Sequence, residues 1–185
     1  MIKHIIEFIL ALSLSILPLG ATETPAPAEA AVIETEVHSH QSEGAMLARM
    51  ENMLNKNYCF GEDFESAEAM ILSAEIALKN QIDDGFISEN AVNDFVFNMY
   101  GVDVAGTTLS FGECENGCYP VPARGYDEYR HTVTDYEYNG DGTITVETDV
   151  VINQCGESET AKCVSVFFAD GTSIFGYNLI SSTLY

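Results

Sequence analysis

EYRHTVTDYEYNGDGTITVETDVVINQ, residues 128–154, is the stretch that decides the fold. Apolar and polar side chains alternate on both sides of Asn139-Gly140-Asp141-Gly142. A period of two marks a strand with one buried face, and a Gly- and Asn-rich break between two such runs marks a hairpin. A type I turn with Gly142 as the bulge residue sets Asn139 opposite Thr143. Tyr138 then opposes Ile144 and Tyr136 opposes Val146, which makes one face apolar. On the other face Glu137 meets Thr145, Asp135 meets Glu147 and Val133 meets Asp149. Asp135, Glu137, Glu147 and Asp149 therefore gather on one side. Like charges directly opposite destabilise a sheet. A calcium ion held by hard oxygen ligands would relieve them. So would a solvated surface, or a register that sets His131 against Asp149 instead. Asn139–Thr145 also resembles the middle of an EF-hand loop. Position one would then be Glu137 and position twelve Thr148, where a bidentate Glu is needed, so the hairpin reading is preferred.

The same period runs on to the C-terminus. Strands are expected at 106–112, 128–138, 143–153, 161–169 and 173–183. If Asp170-Gly171 is a two-residue turn, Val166 opposes Phe175 and Val164 opposes Tyr177, extending the apolar face of Ile144, Val146, Val150 and Ile152. Residues 112–127 (GECENGCYPVPARGYD) form a long structured loop, the kind of segment that often carries function, with Tyr119 and Arg124 as candidate binding residues.

Upstream the period is that of a helix. Met46, Leu47, Met50, Met53 and Leu54 share one face, as do Phe64, Ala67, Ile71, Ala74 and Leu78, and then Val92, Phe95, Val96, Met99 and Tyr100. Helices are expected near 46–57, 63–80 and 88–100, the last capped by Ser88 and ended by Gly101. The fold class is α+β: three N-terminal helices packed on a curved antiparallel meander of four to five strands, over residues 44–185. Tyr58, Phe60, Phe95 and Tyr100 would line the space between the layers and are the candidate pocket residues.

Helices first, then a meander with repeated Tyr in its first long strand (Tyr129, Tyr136, Tyr138) and a short last strand after an Asp-Gly turn, resembles the cystatin-like and nuclear-transport-factor-like superfamily. That resemblance implies helices laid on a curved sheet. It also implies that an inhibitor of secreted hydrolases belongs among the functional candidates.

The N-terminus suggests a secretory signal peptide over 1–21. Lys3 and His4 precede the apolar run Phe8–Leu19, and Leu19-Gly20-Ala21 ends in small residues, with Ala30 as a second cleavage point. The run is short for a bilayer span. Residues 22–43 (TETPAPAEAAVIETEVHSHQSE) read as a disordered acidic Pro/Ala linker, and His38-Ser39-His40 within it as incidental spacing. The expected location is secreted or on the cell surface.

The formal charge is −22, from 7 Lys+Arg against 29 Asp+Glu. Nucleic acid and anionic membranes are poor partners for such a surface, whereas a protein or small ligand remains open. Five cysteines leave at least one without an intramolecular mate. Cys155–Cys163 is expected as a cross-strand bridge and Cys114–Cys118 as a small ring. A nucleophile pair from Cys59 and His131 is disfavoured because Asn57-Tyr58-Cys59-Phe60-Gly61 reads as a buried junction. With no nucleophile elbow, phosphate loop or zinc motif, the expectation is a secreted, non-catalytic binding or interaction domain without a cofactor. A small-ligand pocket protein or enzyme, and an inhibitor, are the alternatives.

Overall fold

The computed structural model describes residues 42–123 and 125–185. The signal peptide, nearly all of the linker, His38, His40 and Arg124 lie outside the described residues. Helix α1 spans 42–54, so it begins within the last two residues assigned to the linker. A 3-10 turn over Gly61–Glu65 leads into α2 (Ala67–Ala77), which is capped by the Ser66 side chain accepting from the Ala69 N–H at 3.2 Å. A second short turn, Lys79–Gln81, follows. Next come β1 (Phe86–Ser88), α3 (Glu89–Tyr100), β2 (Cys118–Pro120), β3 (Glu128–Tyr138), β4 (Thr143–Gln154), β5 (Glu157–Ala169) and β6 (Tyr177–Leu184). Gly101, left-handed at φ 73°, ends α3 as the sequence indicates.

β3 to β6 form an antiparallel meander in sequence order, and β1 pairs with β2 in a separate two-stranded sheet. The α+β reading therefore holds, with a main sheet of four strands. The strand expected at 106–112 is reduced to an isolated bridge between Leu109 and Gly112. The little β1–β2 ladder, absent from the sequence reading, fastens the 112–127 loop to the entry of α3. The helices cover one face of the meander. Met50, Met53 and Leu54 of α1, Ile71 and Ala74 of α2, and Val92, Val96 and Met99 of α3 form one core with Ile144, Val146, Phe167 and Leu179.

The β3–β4 hairpin has the expected turn: the Asn139 N–H donates to the Thr143 carbonyl at 2.9 Å and Gly142 sits at φ 87°. Tyr138 faces Ile144, Tyr136 faces Val146, Glu137 faces Thr145 and Asp135 faces Glu147. Below that point a β-bulge at Thr134 changes the register. Val133 pairs with Thr148, Thr132 with Asp149 and His131 with Val150. The expected Val133–Asp149 pair does not form, nor does the alternative of His131 against Asp149. One extra residue moves Tyr129, His131 and Val133 onto the covered face, because side chains alternate strictly along a strand.

β5 corrects the sequence reading more deeply. Its covered side is Cys163, Ser165 and Phe167, not Val164 and Val166. The cause is the β4–β5 turn. Cys155 (φ 51°) and Gly156 (φ 91°) make a two-residue connection with both residues left-handed, which fixes Gln154 against Glu157 and Val146 against Ser165. Turn chemistry thereby overrides hydrophobicity. The buried hydroxyls and thiol satisfy one another: Ser165 Oγ lies 2.9 Å from Ser182 Oγ, which is 3.1 Å from Cys163 Sγ.

The expected Asp170-Gly171 two-residue turn is also replaced. Residues 170–176 form a longer connection, and Ala169 pairs with Tyr177 rather than Thr172. The connection docks on the end of α3, where Ser173 Oγ donates to the Asn98 carbonyl at 2.6 Å.

Candidate functional site

β3 is an edge strand, and α1 runs along its edge. The His131 N–H donates to Asn55 Oδ1 at 2.7 Å, and the Val133 N–H donates to Glu51 Oε2 at 3.1 Å. Glu51 and Asn55 are four residues apart and so reach from the same side of α1. They occupy two main-chain donors that would otherwise be open to pairing. α1 ends at 54, and just beyond it lies a groove of about 710 Å³. Its walls are the region just past α1 (Asn55, Lys56, Tyr58), the end of α2 with Lys79, and residues 126–132 of and before β3.

Three of the chain's 7 basic residues, Lys56, Lys79 and Arg130, line this groove. Both lysines follow a helix C-terminus, where the dipole favours a cation. Among the described residues neither lysine makes an ion pair; Lys56 Nζ instead lies 5.5 Å from the Phe175 ring centre. Arg130 is 3.9 Å from Glu128, with both side chains largely exposed. Three carboxylates also line the groove, and each has a partner: Glu51 as above, Asp127 accepting from Gln154 Nε2 at 3.2 Å, and Glu128 beside Arg130. Tyr58, Tyr126 and Tyr129 supply the aromatic surface. The Tyr58 and Tyr129 rings meet edge to face at 5.5 Å, and burial, then neighbouring acids, raise the pKa of both phenols.

The candidate pocket residues do not converge on one cavity. Tyr58 reaches the groove. Phe60 is half-buried against Tyr129, with ring centres 5.0 Å apart. Phe95 is half-buried in the packing of α3. Tyr100 is buried in a polar network: its hydroxyl donates to Asn57 Oδ1 at 2.9 Å and lies 2.7 Å from Ser73 Oγ, while Asn57 Nδ2 donates to the Cys59 carbonyl. Burial holds the Tyr100 phenol well above its ordinary pKa. Tyr119 is fully buried elsewhere, donating to the Val104 carbonyl at 3.2 Å, and burial, followed by Glu89, pushes its pKa up to about 12.

Cys59 belongs to the Tyr100 network, and burial pushes its thiol up to about 11. His131 turns instead to Thr148, with Nδ1 3.0 Å from Oγ1. Burial pushes its pKa down to about 4. Cys59 and His131 therefore do not form a catalytic pair.

All five cysteines are unbridged. The Cys155–Cys163 bridge is excluded by position: Cys155 is exposed at the tip of the β4–β5 turn, whereas Cys163 is buried opposite Thr148, six residues into β5 and about 20 Å along it at strand rise. Cys114 and Cys118 flank a hairpin in which Glu115 and Cys118 exchange main-chain bonds across Asn116 (φ 52°) and Gly117 (φ 74°). Neither thiol of that expected ring is bonded to the other.

Of the carboxylate quartet, Asp135 and Glu147 do sit opposite each other, and Glu137 is one row away beside Thr145. Asp149 stays on the same face of β4 as Glu147 but pairs with Thr132 across the strands and lies 3.7 Å from Lys162. Among the described residues no group of three or more His, Cys, Asp or Glu side chains is arranged to hold a metal ion. Nor, among them, is any helix long and apolar enough to cross a membrane.

The sequence reading missed the groove but contained its signal. Tyr129 and Val133 are odd-numbered, Tyr136 and Tyr138 even-numbered. That change of parity within one strand marks a bulge. No protein-family model, curated protein or solved structure matches this chain.

Proposed function

We propose that the chain is a secreted, non-catalytic binding domain that takes its ligand in the groove at the base of β3. The observation that carries this is a concave wall of three tyrosines met by Lys79 and Arg130, two of the few cations on a chain of formal charge −22. An acidic chain gains solubility from its carboxylates. Setting two scarce cations at one concave, aromatic-walled place, where the three carboxylates already have partners, has no such explanation. The non-catalytic reading is supported by His131. With a pKa near 4 and its ring held against Thr148, it is ill suited to accept a proton near neutral pH. The layering of helices on a meander is what the cystatin-like and nuclear-transport-factor-like resemblance would require.

A titration of the isotope-labelled chain with small carboxylates, short peptides and neutral oligosaccharides tests the reading. At least one class should move amide signals confined to 55–58, 76–79 and 126–132. Ala77→Phe, which places a ring at the groove wall, should suppress that response without changing the melting temperature by more than a few degrees. Responses scattered over the outer sheet face would sink the assignment.

One observation favours the inhibitor reading as second choice. The hairpin around Asn116-Gly117 is tied down at its turn, where the Glu89 N–H donates to the Gly117 carbonyl at 2.9 Å, while Glu113, Glu115 and Phe111 remain exposed. A fixed loop with exposed side chains suits rigid docking against a protein partner.

A further inference from the structure

We propose that the groove receives an extended peptide bearing carboxylate side chains, seated by strand addition to the first residues of β3. This rests on the binding-domain reading above and names its ligand class. In an antiparallel strand the main-chain groups of alternate residues point to the same side. His131 and Val133 direct their N–H groups away from β4, toward α1. Tyr129, two residues earlier and paired with Ile152, directs its main chain the same way. The guard formed by Glu51 and Asn55 ends with α1, and Tyr129 lies beyond it as part of the groove wall. The edge of β3 is thus closed by side chains along 131–133, and beyond them Tyr129 brings it into the groove wall. An open edge is a template for an added strand, with main-chain bonds giving affinity and neighbouring pockets giving selectivity.

Charge sets the selectivity. The groove carboxylates Glu51, Asp127 and Glu128 already have the Val133 N–H, Gln154 and Arg130. Among the described residues Lys79 has no ion pair, whereas the Lys56 ammonium lies over the Phe175 ring, outside the groove lining. A peptide with carboxylates on alternate residues would supply the missing anion from one face of its strand. Elsewhere the surface of a chain with formal charge −22 repels that peptide, which confines it to this place.

The probes are blocked pentapeptides of sequence Thr-Glu-Val-Glu-Thr, the same with Gln for Glu, and the same with Lys for Glu, with a neutral chito-oligosaccharide as the non-peptide control. The Glu peptide should move the amides of 127–131 most and slow hydrogen exchange at the Tyr129 N–H. It should bind about tenfold more tightly than the Gln peptide, and Lys79→Ala should erase that advantage. Methylating the central peptide nitrogens should lower affinity further if strand addition is the mode. Equal affinity for all three peptides would overturn the proposal. An oligosaccharide that moves the groove amides when no peptide does would overturn it too, while leaving the groove as a binding site. Silence of the groove toward every probe would remove both readings. Concentration-dependent dimerisation that protects Tyr129 would assign the edge to a second copy and refute the peptide.

Discussion

Acid should destabilise this chain through one side chain. His131 is 1% exposed, and its pKa falls from 6.5 to about 4 because burial penalises the charged ring. The unfolded chain binds a proton near pH 6.5 and the folded chain near 4, so between those values the unfolded state holds more protons. Stability therefore falls as pH drops through this window and is fully present above 6.5. A gap of about 2.5 pKa units corresponds to about 3 kcal/mol, lost with a slope of up to about 1.4 kcal/mol per pH unit. That is a large share of a typical domain's total stability.

The carboxylates act in the opposite sense. Protonating some of 29 acids relieves self-repulsion and masks the histidine. The assay must therefore be differential. Urea unfolding followed by circular dichroism, at pH 7.0, 5.5 and 4.0, should be run on the native chain and on His131→Gln, which keeps a hydrogen-bonding partner for Thr148. The stability difference, native minus variant, should shrink by about 3 kcal/mol between pH 7.0 and 4.0. A difference that stays constant across that range would refute the reasoning, as would a His131 ring titrating near 6.5 by NMR.

Three further outcomes follow from local geometry. Tyr100→Phe removes the buried hydroxyl that bridges Ser73 and Asn57 and should cost about 0.5–1.5 kcal/mol by chemical denaturation, with little change in slope. Cys155→Asn places a residue that tolerates left-handed backbone at φ 51° and should stabilise by roughly 0.5–1 kcal/mol, visible as a higher melting temperature. Asp135→Asn removes the cross-strand repulsion with Glu147 and should stabilise by about 0.2–1 kcal/mol, an effect that shrinks with added salt.

Much of the layout was legible because each piece had a local cause. The three helices follow from apolar stripes with Gly101 as a stop, and the β3–β4 turn follows from Asn139 to Gly142. What was not legible depended on choices between residues of similar rank. On β5, Val164 and Val166 outrank Cys163 and Ser165 in hydrophobicity, so period alone puts the wrong face inward. The turn at Cys155-Gly156 decides otherwise, and neighbouring hydroxyls make the polar face tolerable. The β5–β6 connection was misread because Asp170 caps its own turn: Oδ1 accepts from the Thr172 N–H at 2.9 Å, and the chain then docks on Asn98, a partner distant in sequence. The groove was invisible for the same reason. Lys56, Lys79 and Arg130 are far apart along the chain, and only the ends of two helices and the start of a strand bring them together.

Thr134 links the fold to the proposed site. As the bulged residue it has no cross-strand counterpart; its hydroxyl donates to the Glu147 carbonyl at 3.2 Å. Above it, even-numbered β3 residues face the helices; below it, odd-numbered ones do. The inserted residue thus places Tyr129 under Tyr58 and Phe60, sets His131 against Thr148, and keeps Arg130 at the exposed rim of the groove. Deleting Thr134 would set Val133 directly beside Asp135, with Val133 still opposite Thr148 and Asp135 still opposite Glu147 in an unbroken ladder. Side chains then alternate without interruption, so Tyr129, His131 and Val133 keep the covered face and Arg130 stays outside. The deletion, like Thr134→Ala, should cost only about 1 kcal/mol, the worth of the lost bond to the Glu147 carbonyl, with groove binding intact. A folded deletion variant that loses groove binding would show that the twist added by the bulge, and not the facing of side chains, positions the site, and the account linking register to function would fail.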